Sequence, residues 1–226
     1  MKQTHAKNSR TRVKICGITS TKAALNVCDA GADSIGLVFY EKSPRNVSIE
    51  QAKTICDSLP PFVTCVGLFL DPTEAFVNAV LDQVKLDLLQ FHGLETPEFC
   101  DSFSRPYIKA IGMKGITSEE EFAEITKAYT QSKAFLIDSH ATGKAGGTGK
   151  TFDWKNVPQM QQKPIILAGG LHPENVASAL EQLDIYGVDL SSGVESEPGV
   201  KDPDKIKKLM NEVYRVQCRK HNEDDK

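Results

Sequence analysis

Short apolar runs alternate with amphipathic segments along most of the chain. Eight of these runs have the length of a strand, and most read as continuous Val, Ile and Leu rather than as alternating apolar and polar residues. The predicted strands cover residues 12–16, 34–39, 64–70, 86–91, 107–111, 134–137, 165–168 and 187–190. Because strands that are apolar throughout are buried on both faces, the pattern indicates a parallel sheet covered by helices.

A segment with helical periodicity follows each predicted strand. The predicted helices cover residues 21–30, 49–58, 72–83, 97–103, 118–128, a weak one near 152–157, 173–182 and 203–216. Favourable helix starts support them at Asp71-Pro72, Thr96-Pro97 and Ser118. Eight β/α units predict an α/β protein that forms a single (β/α)8 TIM barrel. An open doubly wound sheet is the alternative, because each unit alone has the same pattern in both folds.

The length of the chain agrees with one barrel. Its 226 residues fall in the range of about 200–250 that is usual for this fold. We therefore expect one domain over residues 1–226, with short flexible tails at about 1–11 and 219–226. The tail at the N-terminus is polar and basic and resembles a transit peptide in composition, but because it is short we interpret it as a disordered tail.

Composition excludes several classes of partner. The formal net charge of -3 gives no bulk attraction to nucleic acid or to an anionic membrane surface. No apolar run approaches the roughly 20 residues that a membrane-spanning helix needs. The six cysteines are scattered without a CxxC pair, which favours reduced thiols and a cytoplasmic location. We expect neither a nucleic acid partner nor a membrane, and a monomer.

The sequence offers no motif for a cofactor. The five histidines have no metal-ligand spacing, and no G-x-G-x-x-G unit is present for a dinucleotide. We therefore expect no metal and no cofactor.

Two predicted strands near the C-terminus end in small residues. The first leads into Gly169 and Gly170, and the second leads into Ser192 and Gly193. Small residues let the backbone approach a bound group, and a helix N-terminus beyond them supplies free N–H groups and a partial positive charge. The pair predicts a phosphate site at the carboxyl ends of the last two strands, as in many TIM barrels. The alternative is two turns whose glycines only pack.

An acid–base pair is predicted at two other strand ends. Cys16 ends the first strand and is followed by a glycine, with Lys14 nearby as a possible partner for a thiolate, although the direction of Lys14 stays open. Asp138 follows the apolar run 134–137, a setting that favours the protonated carboxyl group. The alternatives are a packed thiol and an aspartate that caps a turn.

Three further polar residues occupy strand ends where a substrate would bind. Arg45 is stiffly held after Pro44 and suits a carboxylate, or it is simply solvated. His92 follows the fourth strand, where a hydrogen bond within the core is its alternative role. Asp189 lies within the eighth strand.

A glycine-rich segment, residues 143–151, ends in Gly-Lys-Thr and suggests a P-loop. The P-loop pattern requires a glycine where this chain has Lys144, so we reject it. We interpret the segment as a loop over a ligand that adds backbone N–H groups from Gly146 and Gly147 to the phosphate site. A floppy surface loop is the alternative.

Eight short motifs, in a fixed order from about residue 13 to 205, resemble those of the phosphoribosylanthranilate isomerase family of tryptophan biosynthesis. They are Lys14-Ile15-Cys16-Gly17-Ile18, Ser43-Pro44-Arg45, Val66-Gly67-Leu68-Phe69, Gln90-Phe91-His92-Gly93, Leu136-Ile137-Asp138-Ser139, Gly146-Gly147-Thr148-Gly149, Leu167-Ala168-Gly169-Gly170-Leu171 with Pro173-Glu174-Asn175-Val176, and Val188-Asp189-Leu190-Ser191-Ser192-Gly193-Val194-Glu195. Each motif is weak alone, whereas all eight in order are specific. Phe91 and Ser192 depart slightly from the family, which usually has leucine and glycine there.

The resemblance implies a cofactor-free Amadori rearrangement of N-(5-phosphoribosyl)anthranilate to 1-(2-carboxyphenylamino)-1-deoxyribulose 5-phosphate. It implies Asp138 as the general acid and Cys16 as the general base. It also implies that Arg45 holds the anthranilate carboxylate and that Asp189 lies close to this phosphorylated amino sugar. The phosphate would be held at the glycine-bearing sites named above.

Two rival functions stay open from the sequence. Another phosphate-binding barrel enzyme is one of them, such as indoleglycerol-phosphate synthase or a pentose-phosphate epimerase. The synthase would need a catalytic lysine and glutamates at strand ends, and the epimerase would need a metal site. The second is a barrel that binds a sugar phosphate without converting it.

Overall fold

Eight parallel strands close into a barrel in a computed structural model that describes residues 10–139, 154, 157 and 163–224. In chain order they are β1 (Arg12–Cys16), β2 (Ser34–Phe39), β3 (Thr64–Phe69), β4 (Leu88–Phe91), β5 (Tyr107–Gly112), β6 (Phe135–Asp138), β7 (Ile165–Leu167) and β8 (Gly187–Leu190). Strand β1 pairs with both β2 and β8, which closes the ring. The predicted (β/α)8 barrel is confirmed, and the open sheet is excluded.

Helices connect the strands on the outside of the barrel. They are α1 (Thr21–Asp29), α2 (Ile49–Asp57), α3 (Glu74–Leu81), α4 (Pro97–Asp101), α5 (Glu119–Thr126), α6 (Val176–Gln182) and α7 (Pro203–Asp224). The weak helix predicted near 152–157 lies largely outside the described residues. Within the described part of the chain, no helix combines the length and the apolar character that crossing a bilayer requires.

A side-chain cap explains where one helix begins, and a side-chain-bonded turn precedes the start of another. The hydroxyl of Thr73 accepts the N–H of Phe76 at 3.2 Å, so α3 begins after Thr73 and not at the predicted Pro72. Helix α6 also begins later than predicted, because the Asn175 side chain bonds the backbone on both sides of the preceding turn. Its Oδ1 accepts from His172 N at 2.8 Å, and its Nδ2 donates to Gly170 O at 3.0 Å. Helix α7 continues beyond the predicted end at residue 216.

Two apolar clusters hold the barrel together. The larger one lies between the strands and the helices, and the smaller one consists of Ile108, Ala110, Ala134, Leu136 and Ala168. The smaller cluster joins residues of neighbouring strands β5, β6 and β7.

A short hairpin that the sequence pattern did not indicate follows the barrel. A 3-10 helix (Ser192–Val194) leads from β8 into antiparallel strands β9 (Glu195–Glu197) and β10 (Val200–Lys201). Gly199 takes a left-handed φ of 87° in the connecting turn, and its carbonyl accepts the Thr19 hydroxyl at 2.8 Å. The hairpin is thereby tied to the loop after β1, and it brings Glu195 and Lys201 to the barrel mouth.

Candidate active site

A pocket lies at the carboxyl ends of the strands, and its space of about 750 Å³ includes part of the open solvent. Most of the residues predicted from the sequence as a site line this one pocket. They are Cys16, Arg45, His92, Asp138, Gly169, Gly170, Asp189 and Ser192. Apolar side chains such as Leu68, Leu70 and Leu190 form other parts of the wall. The pocket therefore combines an apolar surface with several convergent polar groups, as ligand sites do.

Of the three remaining predicted phosphate-site residues, the structure describes only Gly193, and Gly193 is not among the residues that line the pocket. Gly146 and Gly147 lie outside the described residues. Gly193 is next to the lining residue Ser192, and a side chain there would collide with the carbonyl oxygen of Leu171. Only glycine therefore fits at 193, which lets the turns after β7 and β8 approach each other.

Lys14 and Cys16 project from the same face of β1, since residues two apart on a strand share a face. Lys14 Nζ donates to Asp189 Oδ2 at 2.8 Å and is also hydrogen-bonded to the Cys16 thiol. A Cβ at Gly36 on β2 would come within 2.7 Å of Cys16 Sγ and 3.1 Å of Lys14 Nζ. The glycine makes space for both groups, and the direction of Lys14, open from the sequence, is toward the thiol.

The thiol of Cys16 is buried, and this burial is the main influence on its pKa. Burial raises the pKa of Cys16 above its ordinary value, the charges of Lys14 and Lys201 oppose that rise, and the charge of Asp189 adds to it. Burial also works against the ammonium of Lys14, but Asp189 and Cys16 outweigh it and raise the pKa of Lys14. The free protein therefore holds Cys16 as a thiol at neutral pH, next to a cation that stabilises the thiolate.

Asp189 carries an unused acceptor in the pocket. Burial raises the pKa of Asp189 from its ordinary value, although Lys14 opposes this. One carboxylate oxygen accepts from Lys14, and the other, Oδ1, is buried with no hydrogen-bond partner among the described residues. A buried acceptor without a partner is costly, so a donor on a bound molecule would be favourable here.

Asp138 ends β6 in a buried position beside His92. Ser139 Oγ donates to Asp138 Oδ1 at 3.3 Å, and His92 Nε2 lies 3.9 Å from Asp138 Oδ2. On the other side of the ring, Gln90 Nε2 donates to His92 Nδ1 at 3.2 Å. That bond places the proton of a neutral His92 on Nε2, the nitrogen that faces the carboxyl group. Strand β6 is separated from β1 by β7 and β8, so Asp138 and Cys16 reach the pocket from different directions.

A buried ion pair supports the loop that carries His92. Lys109 Nζ donates to Glu95 Oε2 at 3.0 Å and to Gly93 O at 2.7 Å, and Glu95 accepts the N–H of Gly93 at 2.9 Å. Asp71, a strand-end residue like the candidates above, belongs to this support and not to the pocket. Its carboxylate accepts the N–H of Leu94 at 2.5 Å.

Arg45 is held by a second buried ionic cluster. Its Nε and Nη2 donate to the two oxygens of Glu195 at 2.8 and 2.7 Å, and this hydrogen bonding raises the pKa of Arg45. Lys201 Nζ donates to Glu195 Oε1 at 2.6 Å. Gly17 has a φ of 79°, and a Cβ there would collide with Arg45 Cδ. The glycine after Cys16 thus lets the arginine lie across the end of β1.

The turns after β7 and β8 have the backbone form of an anion site. Gly169 and Gly170 take φ values of 81° and 67°, a region that favours glycine. The 3-10 helix begins at Ser192, separated from the end of β8 by one residue, and its first N–H groups have no partner within the helix. Phosphate sites of TIM barrels are built from these two loops and a short extra helix.

Sequence reasoning missed Glu195 and Lys201 as site residues. Glu195 stood at the end of a motif without an assigned role, and Lys201 lies in a polar stretch before the last helix. Both depend on the hairpin, whose two short strands carry no apolar alternation. A glutamate directly after the last glycine-bearing turn was the one available signal.

These features define a (β/α)8 barrel with a pocket at the carboxyl ends of its strands that gathers a thiol, a carboxyl group and an arginine. Residues 13–212 match the sequence profile of a family described as N-(5'-phosphoribosyl)anthranilate (PRA) isomerase. The chain is 51% identical over 205 residues to the enzyme of that name from Pseudomonas fluorescens SBW25, covering 91% of this chain and 96% of the relative. The Alcanivorax borkumensis enzyme of that name is 50% identical over 209 residues, covering 89% and 94%.

Solved structures agree with this match. The crystal structure of phosphoribosyl anthranilate isomerase from Thermotoga maritima superposes with a TM-score of 0.81 at 40% identity, covering 91% of this chain and 99% of that one. A second isomerase structure contains reduced 1-(o-carboxyphenylamino)-1-deoxyribulose 5-phosphate, with a TM-score of 0.78, 37% identity and coverage of 91% and 99%. The chain belongs to the N-(5'-phosphoribosyl)anthranilate isomerase family.

Proposed function

We propose that this chain catalyses the Amadori rearrangement of N-(5-phosphoribosyl)anthranilate to 1-(2-carboxyphenylamino)-1-deoxyribulose 5-phosphate, in tryptophan biosynthesis. The observation that carries the proposal is one pocket that gathers a thiol, a carboxyl group, an arginine and two glycine-bearing turns in a chain of this family. The reaction reduces C1 of the sugar and oxidises C2 of the same molecule. It needs no external oxidant or reductant, so side-chain acid–base chemistry is sufficient.

Asp138 is proposed as the general acid. Its carboxyl group protonates the ring oxygen of the sugar, and the bond from C1 to that oxygen breaks to give an open-chain Schiff base. A buried strand end suits an acid that must keep its proton near neutral pH. His92 Nε2 is placed to donate a hydrogen bond to the carboxylate that is left.

Cys16 is proposed as the general base. Its thiolate takes the proton from C2 of the Schiff base, which leaves an enolamine. The enolamine then gains a proton at C1 and loses its hydroxyl proton, so that acid and base return to their starting forms. Because burial raises the pKa of Cys16, little thiolate is present at neutral pH, but each thiolate is a stronger base.

The remaining predicted residues are proposed to hold the two charged ends of the substrate. Arg45 binds the anthranilate carboxylate, and Asp189 Oδ1 accepts a hydroxyl of the open sugar. The phosphate is held by backbone amides at Gly146, Gly147, Gly169, Gly170, Ser192 and Gly193. The left-handed turn after β7 and the 3-10 helix after β8 support this assignment, as does the phosphorylated product analogue in the related structure.

The proposal is tested by adding the protein to freshly made N-(5-phosphoribosyl)anthranilate and following the change in fluorescence. Wild type should convert the substrate. Cys16→Ala and Asp138→Asn should each lose about 10²–10⁴-fold in kcat, the usual contribution of a general acid or base. Both variants should still bind the reduced product analogue.

Three outcomes would contradict parts of this proposal. Wild type that binds the analogue without turnover would indicate a barrel that binds but does not convert. Near-normal turnover in one variant would remove that residue from the proposed mechanism. Loss of analogue binding in a variant would indicate that the substitution damages the pocket instead of the chemistry.

Assembly, location and domain extent are also proposed. We expect a monomer, although a T. maritima relative is described as dimeric and Phe62, with a left-handed φ of 71°, is fully exposed here. Sedimentation at several concentrations decides between the two states.

All six cysteines are free, which supports a reducing, cytoplasmic location that fractionation with thiol trapping can test. A single domain over residues 1–226 stays a prediction, which limited proteolysis can test.

A further inference from the structure

The cluster of Arg45, Glu195 and Lys201 is more elaborate than carboxylate binding by one arginine requires. The Glu195 side chain is 4% exposed and the Lys201 side chain 1% exposed, so two charged groups are buried behind a third. Burying charges costs free energy unless they are paired and hydrogen-bonded. We propose that Glu195 and Lys201 are positioning residues for Arg45. This inference rests on the proposed role of Arg45 as the carboxylate-binding residue.

The role of Glu195 is to fix which edge of the guanidinium is available. Arg45 has five N–H groups, and Glu195 accepts one from Nε and one from Nη2. The edge that remains consists of Nη1 and the second N–H of Nη2, and Nη1 makes no hydrogen bond to any described residue. Two parallel N–H groups on this edge match a carboxylate. Glu195 thereby turns the end of Arg45, and not its side, toward a ligand.

With Glu195 as its only charged neighbour, Arg45 would lose its electrostatic attraction for a substrate carboxylate. A guanidinium paired with one carboxylate has no net charge, and a substrate carboxylate would meet a neutral pair. Lys201 Nζ lies 2.6 Å from Glu195 Oε1 and restores a net charge of +1 to the cluster. Burial lowers the pKa of Lys201, while Glu195 opposes that change. Lys201 thus neutralises Glu195 and leaves the charge of Arg45 for the ligand.

Lys201 also connects the cluster to the turn after β8. Its Nζ donates to Ser191 O at 3.1 Å and to Ser191 Oγ at 3.3 Å, and Ser191 lines the pocket directly before Ser192. The geometry therefore sets the spacing between the carboxylate site at Arg45 and the proposed phosphate turn. A ligand must carry its two anionic groups at that spacing.

The experiment compares two ligands that differ by one carboxyl group. They are the reduced product analogue and its phenylamino counterpart, which lacks the carboxyl group. Calorimetry gives both dissociation constants for wild type, Lys201→Met, the double variant Glu195→Gln/Lys201→Met and the control Lys205→Met. Lys205 Nζ donates to the backbone carbonyl of Glu195 at 2.6 Å and leaves the carboxylate untouched. Wild-type turnover is measured in parallel, so failure of the proposed function is seen separately.

Lys201→Met should raise the dissociation constant of the carboxylated analogue on the order of tenfold, because the cluster that faces the ligand carboxylate loses one unit of positive charge. The dissociation constant of the phenylamino counterpart should change by no more than about twofold. The same variant should raise KM with little change in kcat. The control should change both ligands alike, within about twofold. The double variant regains a net charge of +1 from Arg45 but lacks the two charged side chains that hold Arg45 in place. Its preference for the carboxylated analogue should therefore lie between those of Lys201→Met and wild type.

Equal weakening of both ligands in Lys201→Met would indicate a structural role only and would overturn the inference. If Lys201→Met does not fold, the double variant provides the test. If the double variant prefers the carboxylated analogue over its counterpart as strongly as wild type does, positioning of Arg45 by Glu195 is excluded. Wild type that turns over substrate but binds both ligands equally would remove the carboxylate role of Arg45 and this inference with it.

Discussion

Replacing Lys14 by methionine should move the titration of the Cys16 thiol to higher pH. Lys14 Nζ is hydrogen-bonded to Cys16 and lies 2.8 Å from Asp189 Oδ2, and both lysine and aspartate side chains are less than one tenth exposed. The ammonium favours the thiolate, while burial and Asp189 disfavour it. Removing this cation leaves burial and Asp189 opposed only by the charge of Lys201, so the pKa of Cys16 rises.

The size of this shift follows from the charge that is lost. Two unit charges about 4 Å apart interact by about 4 kcal/mol at an effective dielectric constant near 20. Since 1.36 kcal/mol corresponds to one pKa unit, the shift should not exceed roughly 3 units. The same change leaves Asp189 buried without its partner, which should destabilise the fold by about 3–5 kcal/mol. Lys14→Met/Asp189→Asn removes both charges and should recover part of that stability.

The assay is thiolate absorbance as the pH is raised, with the signal of the matched Cys16→Ala protein subtracted. Wild type should ionise above the ordinary value for cysteine, because burial outweighs the opposing charges of Lys14 and Lys201. Lys14→Met should shift this titration curve upward. A wild-type thiol that ionises below the ordinary value, or a Lys14→Met curve that does not move, would refute this reasoning.

Three other predictions test parts of the site separately. Gly17→Ala should cost about 1–3 kcal/mol of stability because of its left-handed φ, and it should raise KM because the new Cβ displaces Arg45. The control is Gly115→Ala, where φ is similar but a Cβ would meet no atom within 4 Å, so KM should not change. Thermal unfolding and steady-state kinetics check both variants. Glu95→Gln should lower the free energy of unfolding by about 3–5 kcal/mol because Lys109 keeps an unpaired buried charge, and Lys109→Met added to it should restore part; denaturant unfolding that finds no loss would contradict this. Dialysis against a chelator should leave turnover unchanged, and a loss restored by a divalent metal would contradict chemistry by side chains alone.

The barrel could be predicted because its signal is local and repeated. Each strand is an apolar run followed by an amphipathic helix, and eight repeats leave few folds that fit. The position of Cys16, Asp138 and Asp189 in the pocket could be predicted for the same reason, since the carboxyl end of a barrel strand is recognisable in the sequence. Their protonation could not be found, because the pKa of Cys16 depends on Lys14 and Lys201, which approach from β1 and from the hairpin.

Particular hydrogen bonds, one local and one between distant residues, decided what the sequence left open. Helix α3 begins at a cap by Thr73 instead of the proline before it, because the hydroxyl bonds a backbone N–H. The hairpin that carries Glu195 and Lys201 is held by Thr19 from the loop after β1, about 180 residues away in the chain. Short strands fixed by such contacts carry no hydrophobic period of their own, so the partners of Arg45 were not predictable.

The most direct test of the proposed chemistry is a single-turnover measurement with substrate carrying deuterium at C2 of the sugar. Wild type should convert the deuterated substrate more slowly than the ordinary one, because the thiolate of Cys16 breaks that bond. Cys16→Ala should bind the substrate but convert it about 10²–10⁴-fold more slowly. Conversion by Cys16→Ala at the wild-type rate, with the same isotope effect, would show that another group takes the C2 proton and would contradict the account.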